Sequence, residues 1–210
     1  MAEGRRLSRL PDRTPDRRPS RFHKLAPYRA DVPNNALVTG PPRSGKTTAI
    51  ERTVDRLEAR GLTAGGLYCP ELRSGGKRVG FEIRDILTGE ADVLAHVDRT
   101  SGPSVGKYRV DMEAVDELCA GAFPRAFGEA DVVVVDEIAP MQVYSDEFVE
   151  GVRRALDAEE PLLAAIQYGS ESGFIGEVKS RGDADTFEVT EANRDELPER
   201  LAARIAGWDP

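Results

Sequence analysis

The chain has 210 residues, a net charge of −8 at neutral pH and a hydrophobic content of 40%. This length suits one domain with additions, or two small ones, and leaves room for a substantial core. No apolar run approaches membrane-spanning length, and an acidic body argues against a broad nucleic-acid-binding face.

Residues 1–30 hold nine Lys or Arg against three Asp or Glu, so they carry +6 and the remainder −14. Repeated Pro, Arg and Asp with few apolar residues predict a disordered basic tail over 1–30, followed by a domain over 31–210. Weak contact of the tail with RNA or an acidic surface is one reading, and an unselected extension is the simpler one. Phe22, Leu25 and Tyr28 could dock its end onto the body. The N-terminus has no apolar leader core, so a cytoplasmic protein is expected. Cys69 and Cys119 follow no metal-ligand spacing and read as reduced, buried thiols. With His23 and His96 as the sole histidines, no zinc site is expected.

The apolar run Ala36-Leu37-Val38 reads as a strand. It is followed by Gly40-Pro41-Pro42-Arg43-Ser44-Gly45-Lys46-Thr47-Thr48, a G-x-x-x-x-G-K-T phosphate-binding loop. Ile50, Val54 and Leu57 then recur at helical spacing, and Gly61 supplies a stop. Backbone N–H groups at a helix N-terminus suit a polyanion. Gly40 and Gly45 allow the tight turn, Lys46 can reach the β- and γ-phosphates, and the Thr47 hydroxyl can ligate Mg²⁺.

A second apolar stretch, Leu62 to Cys69, leads into a β-rich insertion over about 66–98. Ser74-Gly75-Gly76 reads as a hairpin turn. Val79, Phe81 and Ile83 alternate as on a half-buried strand, and Val93 to Val97 forms a further run after the turn at Thr88-Gly89. Arg73, Lys77 and Arg78 fall near the tip, where they either meet nucleotide phosphates or remain solvated. His96 is placed at a strand end in a structural role. Residues 100–108 read as a loop, and Asp111 as the N-cap of a helix with Met112, Val115, Leu118, Cys119 and Ala122 on one face.

Asp131-Val132-Val133-Val134-Val135-Asp136-Glu137 reads as a strand buried on both faces. Asp136 then falls at its carboxyl end, where open α/β sheets bind ligands and where a carboxylate can hold Mg²⁺. Glu137 is placed to orient or deprotonate the attacking water. Ser145 caps the next helix, Pro161 to Ile166 is another buried strand, and Gln167 either senses the γ-phosphate or caps the sheet. Thr186 to Val189 is a last strand, with Leu197, Leu201 and Ile205 on a closing helix.

Several segments together resemble the small P-loop nucleoside-triphosphatases described from thermophiles, also called cancer-related nucleoside-triphosphatases. They are GPPRSGKTT at 40–48, ELRSGGKRVGFEI at 71–83, LTG at 87–89, VGKYRVD at 105–111, VVVVDEI at 132–138 and NRDELP at 193–198. The resemblance covers residues 36 to about 205. It implies an α/β fold with a RecA-like, mixed but mostly parallel sheet flanked by helices and a β-hairpin insertion. It also implies Mg²⁺-dependent hydrolysis of several NTPs with little base selectivity. Carried over to this chain, it places Lys46 and Thr47 on phosphates and metal, and Asp136 and Glu137 as the acidic pair. Glu71, Arg73, Arg78 and Lys107 match the polar residues of the insertion. Three features depart from the family pattern. Ala139-Pro140-Met141-Gln142-Val143 stands where Gly-x-Met-Glu-Leu is usual, Gln167-Tyr168-Gly169 replaces a His- or Arg-bearing stretch, and Arg43 is unusual within the loop.

The expected activity is therefore a Mg²⁺-dependent NTPase. Lys46, Glu137 and one of Arg73, Arg78 or Lys107 would carry the chemistry, and Thr47 and Asp136 would hold the metal. An NTP substrate, no membrane and a monomer are expected. A nucleotide or small-molecule kinase and an RNA-associated nucleotide switch are the rival readings.

Overall fold

The structure, a computed structural model, describes residues 35–207. The basic tail over 1–30, including Phe22, His23, Leu25 and Tyr28, lies outside the described residues. In chain order the first half comprises β1 (Asn35–Thr39), α1 (Lys46–Ala59), β2 (Ala64–Tyr68), β3 (Glu71–Ser74), β4 (Lys77–Asp85), β5 (Ala91–His96), β6 (Ser104–Val105) and β7 (Tyr108–Val110). The second half comprises α2 (Met112–Glu129), β8 (Val132–Ile138), a 3₁₀ turn Gln142–Tyr144, α3 (Asp146–Leu156), β9 (Leu162–Ile166), α4 (Gly173–Lys179), β10 (Ala184–Glu188) and α5 (Leu197–Ile205). No helix among the described residues is long and apolar enough to cross a membrane.

The strands form one sheet in the order β10-β1-β9-β8-β2-β4-β5-β7-β6, with β3 alongside β4. From β10 to β2 every pairing is parallel. From β4 onward every pairing is antiparallel. A single strand, β9, separates β1 from β8, which is the RecA-like order. The inserted hairpin lengthens this sheet instead of standing apart from it.

The four valines of β8 explain why the sheet is covered on both sides. Val133 and Val135 pack in one cluster with Val115, Phe123, Phe148 and Val152 of α2 and α3. Val132 and Val134 pack in the other with Ile50, Val54 and Leu57 of α1 and Leu201 of α5. Alternating strand side chains thus meet an apolar layer on each face, so no polar residue interrupts the run. The two expected caps are present. The Asp111 carboxylate accepts from the Ala114 N–H at 3.5 Å, and Ser145 Oγ accepts from the Phe148 N–H at 3.0 Å.

Two segments differ from expectation. The loop expected over 100–108 contains β6 and the start of β7, paired through Val105 and Tyr108 around Gly106-Lys107. Strands of two and three residues are too short to show a period. Helix α4 was not expected, since Gly173 and Gly176 weaken a helical pattern. It forms because Ile175 and Val178 are buried.

β2 lies against β8 closely enough to exclude a side chain at Gly66. That residue has φ 126°, and a Cβ there would lie 2.1 Å from Val134 O. Gly66→Ala is therefore expected to destabilise the fold by about 3 kcal/mol or more and to lower the Tm by at least about 6 °C. Thermal unfolding measures this, and an unchanged Tm would mean that β2 and β8 are not so tightly apposed.

Candidate functional site

β1 delivers the loop 40–45 to the start of α1. Gly40 at φ 151° and Gly45 at φ 102° both occupy left-handed backbone, where a Cβ is disfavoured. At Gly40 a Cβ would also meet Ser44 Oγ at 2.6 Å and Val189 O at 3.0 Å. Arg43 takes φ 67° and is exposed. Pro41 and Pro42 have no N–H and shape the turn without donating. Ser44 N–H is used within the loop, on Pro41 O at 3.1 Å.

The first helical bond runs from Ala49 N–H to Gly45 O at 2.8 Å. Among the described residues no side chain caps helix α1, and its first turn holds no acid. The donors at Lys46, Thr47 and Thr48 therefore face an open helix end whose dipole favours an anion. Ser44 Oγ is buried and without a hydrogen-bond partner among the described residues, a further donor turned into the loop.

β8 brings the acidic pair to the same carboxyl edge. Asp136 follows Val132 and Val134 on the face covered by α1 and hydrogen-bonds the Thr47 side chain. It is 3% exposed. Burial pushes its carboxyl up to about 7, opposed by the Thr47 hydroxyl and the Lys46 ammonium and reinforced by the charges of Glu137 and Glu51. The peptide joining Asp136 to Glu137 is cis. Glu137 lies with Oε1 3.5 Å from Lys46 Nζ, while Lys46 Nζ also donates to Gly40 O at 3.2 Å. Burial raises the Glu137 carboxyl, and Lys46 holds that rise in check. The structure thus brings together the loop, Lys46, Thr47, Asp136 and Glu137.

The cations of the insertion form a second group. β4 pairs with β2 through Leu67–Asp85 and Tyr68–Arg84, so residues 77–83 and the whole of β3 extend past the carboxyl end of β2. Here Glu71 gathers two arginines, accepting from Arg73 Nη2 at 2.5 Å and from Arg78 Nη1 at 2.6 Å. Arg78 Nε donates to Tyr108 Oη at 2.9 Å, and the guanidinium lies 5.0 Å from the Phe81 ring centre. Lys107 Nζ donates to Arg78 O at 3.3 Å and lies 5.2 Å from the Tyr108 ring centre. These side chains project from the same sheet edge as the phosphate loop, and their bonds run to Glu71, to Tyr108 and to the Gly76 and Arg78 carbonyls.

His96 and Gln167, also singled out by sequence, are held by local bonds. His96 Nδ1 accepts from the Asp98 N–H at 3.1 Å. Gln167 N–H donates to Ile138 O at 3.1 Å and ties the end of β9 to β8. Two neighbours of the acidic pair escaped the sequence reading. Tyr68 is the register partner of Asp136, and its phenol is held protonated by burial and by surrounding carboxylates, Glu51 and Asp136 foremost. The Cys69 sulfur takes hydrogen bonds from the Gln142 side chain and the Glu137 main chain, while burial pushes the thiol up to about 12. Only the pairing of β2 with β8 places them there, and nothing within either strand announces it.

Mg²⁺ takes oxygen ligands, and in phosphate-transfer sites it keeps waters and uses one or two protein groups. The Thr47 hydroxyl and the Asp136 carboxylate are such a pair, already hydrogen-bonded, and a cation would relieve the cost of burying Asp136 ionised. The residues present fit the ion. Among the described residues no cluster of three or more His, Cys, Asp or Glu could hold a metal by itself.

A phosphate loop at the end of β1, with an acidic pair one strand removed on β8, defines a P-loop nucleotide-binding protein of the RecA-like class. The family model described as NTPase matches residues 35–202. The chain is 47% identical to the nucleoside-triphosphatase THEP1 of Thermofilum pendens over 173 residues, covering 82% of this chain and 95% of that protein. It is 41% identical to THEP1 of Methanopyrus kandleri, covering 84% and 98%. The crystal structure of THEP1 from Aquifex aeolicus superposes with a TM-score of 0.72 at 29% identity, over 81% of this chain and 98% of that one. The chain belongs to this nucleoside-triphosphatase family.

Proposed function

We propose that the protein hydrolyses nucleoside 5′-triphosphates, ATP, GTP, CTP and UTP among them, to the diphosphate and phosphate with Mg²⁺ and little base selectivity. The observation that carries this is the meeting of Lys46 and Glu137 at 3.5 Å beside the Thr47–Asp136 pair. The main-chain donors at the start of α1 hold the β- and γ-phosphates, and Lys46 exchanges Gly40 O for them. Thr47 and Asp136 would hold Mg²⁺, which would neutralise negative charge on the phosphates. Glu137, its basicity raised by burial, accepts a proton from water. The water oxygen then bonds to the γ-phosphorus as the β–γ bridging P–O bond breaks. Every one of these groups addresses phosphate, metal or water and none a base edge, which supports turnover of all four nucleotides.

Phosphate release measured with each NTP, with and without Mg²⁺ and with no acceptor present, tests the reading. Mg²⁺-dependent release from several NTPs is expected, and no release without an acceptor would overturn it in favour of a kinase.

Arg73, Arg78 and Lys107 are the candidates to neutralise the transition state. Such a cation acts on kcat more than on ground-state binding. Arg78→Ala is expected to lower kcat at least about tenfold with KM within about threefold. Steady-state phosphate release reads both, and an unchanged kcat would remove Arg78 from the chemistry.

A further inference from the structure

The segment NRDELP at 193–198 has no part in the chemistry above, yet its first residue anchors the main chain that passes beside the phosphate loop. β10 runs parallel to β1 with Glu188 opposite Thr39, and the chain then turns through Thr190–Glu196 into α5. The Asn193 side chain is spent on holding this turn. Its Oδ1 accepts from the Thr190 N–H at 2.9 Å, and its Nδ2 donates to Glu188 O at 2.8 Å. Between those two anchored residues, Val189 donates its N–H to Thr39 O at 2.8 Å. Val189 O stands 3.0 Å from the position a Cβ on Gly40 would take. Gly40 O in turn receives Lys46 Nζ at 3.2 Å.

Val189 is 1% exposed and packs in the same cluster as Ala36, Val38 and Leu197, so this stretch of main chain has a fixed seat on the core. Gly40 has no side chain of its own to fix its conformation. The main chain beside it supplies that restraint, and Asn193 ties that main chain on both sides of Val189.

We propose that Asn193 is a positioning residue for the phosphate site. It fixes the Glu188–Thr190 main chain, which seats Gly40 and, through the Gly40 carbonyl, the Lys46 ammonium. This rests on the reading of residues 40–48 as the phosphate site and needs nothing from the hydrolytic step. Its consequence is specific: Asn193 acts on the phosphate end of a ligand, whether or not a nucleoside is attached.

Titration calorimetry of the full chain with Mg-ADP and with Mg-tripolyphosphate, well below the Tm, tests the proposal. Asn193→Ala is expected to weaken both ligands about tenfold, and by the same factor within about threefold. Asn193→Ser keeps an uncharged acceptor for the Thr190 N–H and is expected to recover part of the loss. Wild-type affinity for tripolyphosphate in Asn193→Ala would overturn the proposal. So would a loss confined to ADP, which would make the turn a nucleoside contact. Should the Ala variant not fold, Asn193→Ser carries the test alone, with weaker tripolyphosphate binding expected and an unchanged value overturning. Wild-type protein that binds neither ligand would overturn the phosphate-site reading itself, and this inference with it.

Discussion

Glu137→Gln is expected to release phosphate at least about 10³-fold more slowly than wild type at saturating Mg-ATP, while its Mg-ADP affinity stays within about threefold. The amide keeps the size and hydrogen-bonding reach of the side chain but accepts no proton at neutral pH. The loss should therefore fall on kcat and spare the ground state. The neighbouring lysine gives the contrast. Lys46→Ala removes a charge that meets the phosphates before and during the reaction, so turnover and Mg-ADP affinity should both collapse. It also removes the partner 3.5 Å from Glu137 Oε1, which leaves that carboxylate less able to ionise. Phosphate release and calorimetry separate the two variants. Wild-type-like release from Glu137→Gln would take Glu137 out of the mechanism and leave the water to another group.

What sequence reveals here follows from what is local in the chain. The loop 40–48 needs two glycines, a lysine and a threonine in a fixed order, and the residues on either side suffice to place it between a strand and a helix. The valine run 132–135 signals burial on both faces because the layers above and below exclude polar groups. Both therefore survive inspection of a single segment. The neighbourhood of Asp136 does not. Tyr68 and Cys69 reach it only because β2 pairs with β8, and that pairing joins residues more than sixty positions apart. The role proposed for Asn193 is not legible for the same reason, since it acts on Gly40, far back along the chain. Short elements fail differently. β6 and α4 form because other parts of the fold give them partners or burial, and their own residues carry too little pattern to demand them. The cations of the insertion are intermediate: the hairpin was legible, but the gathering of Arg73 and Arg78 on Glu71 depends on the register of β3 with β4, which includes an irregularity after Leu72.

Asp136→Asn is expected to do two opposite things, and together they test the electrostatic design of the site. The carboxyl of Asp136 titrates near pH 7 when folded and near pH 3.9 when unfolded. The folded state therefore binds its proton more tightly, so the stabilisation from protonation is fully present below about pH 4 and is lost as pH rises to about 7. Above that, the metal-free protein carries a buried negative charge beside Glu137 and Glu51. The Asn amide is neutral, fits the same space and still accepts from the Thr47 hydroxyl. The metal-free variant should therefore melt at least about 3 °C above wild type at pH 8, with the difference shrinking towards pH 5. With Mg²⁺ and ADP the order should reverse. Binding to the folded state stabilises wild type by mass action, and a neutral amide in place of the carboxylate gives up most of that gain along with turnover. Thermal unfolding at pH 5 and pH 8, with and without Mg-ADP, reads all of these quantities. Equal Tm values for the two metal-free proteins at pH 8 would mean that the carboxylate carries no burial cost. A site that gains stability when its acid is neutralised, and loses its ligand in the same change, is one in which the buried charge is kept for chemistry and not for the fold.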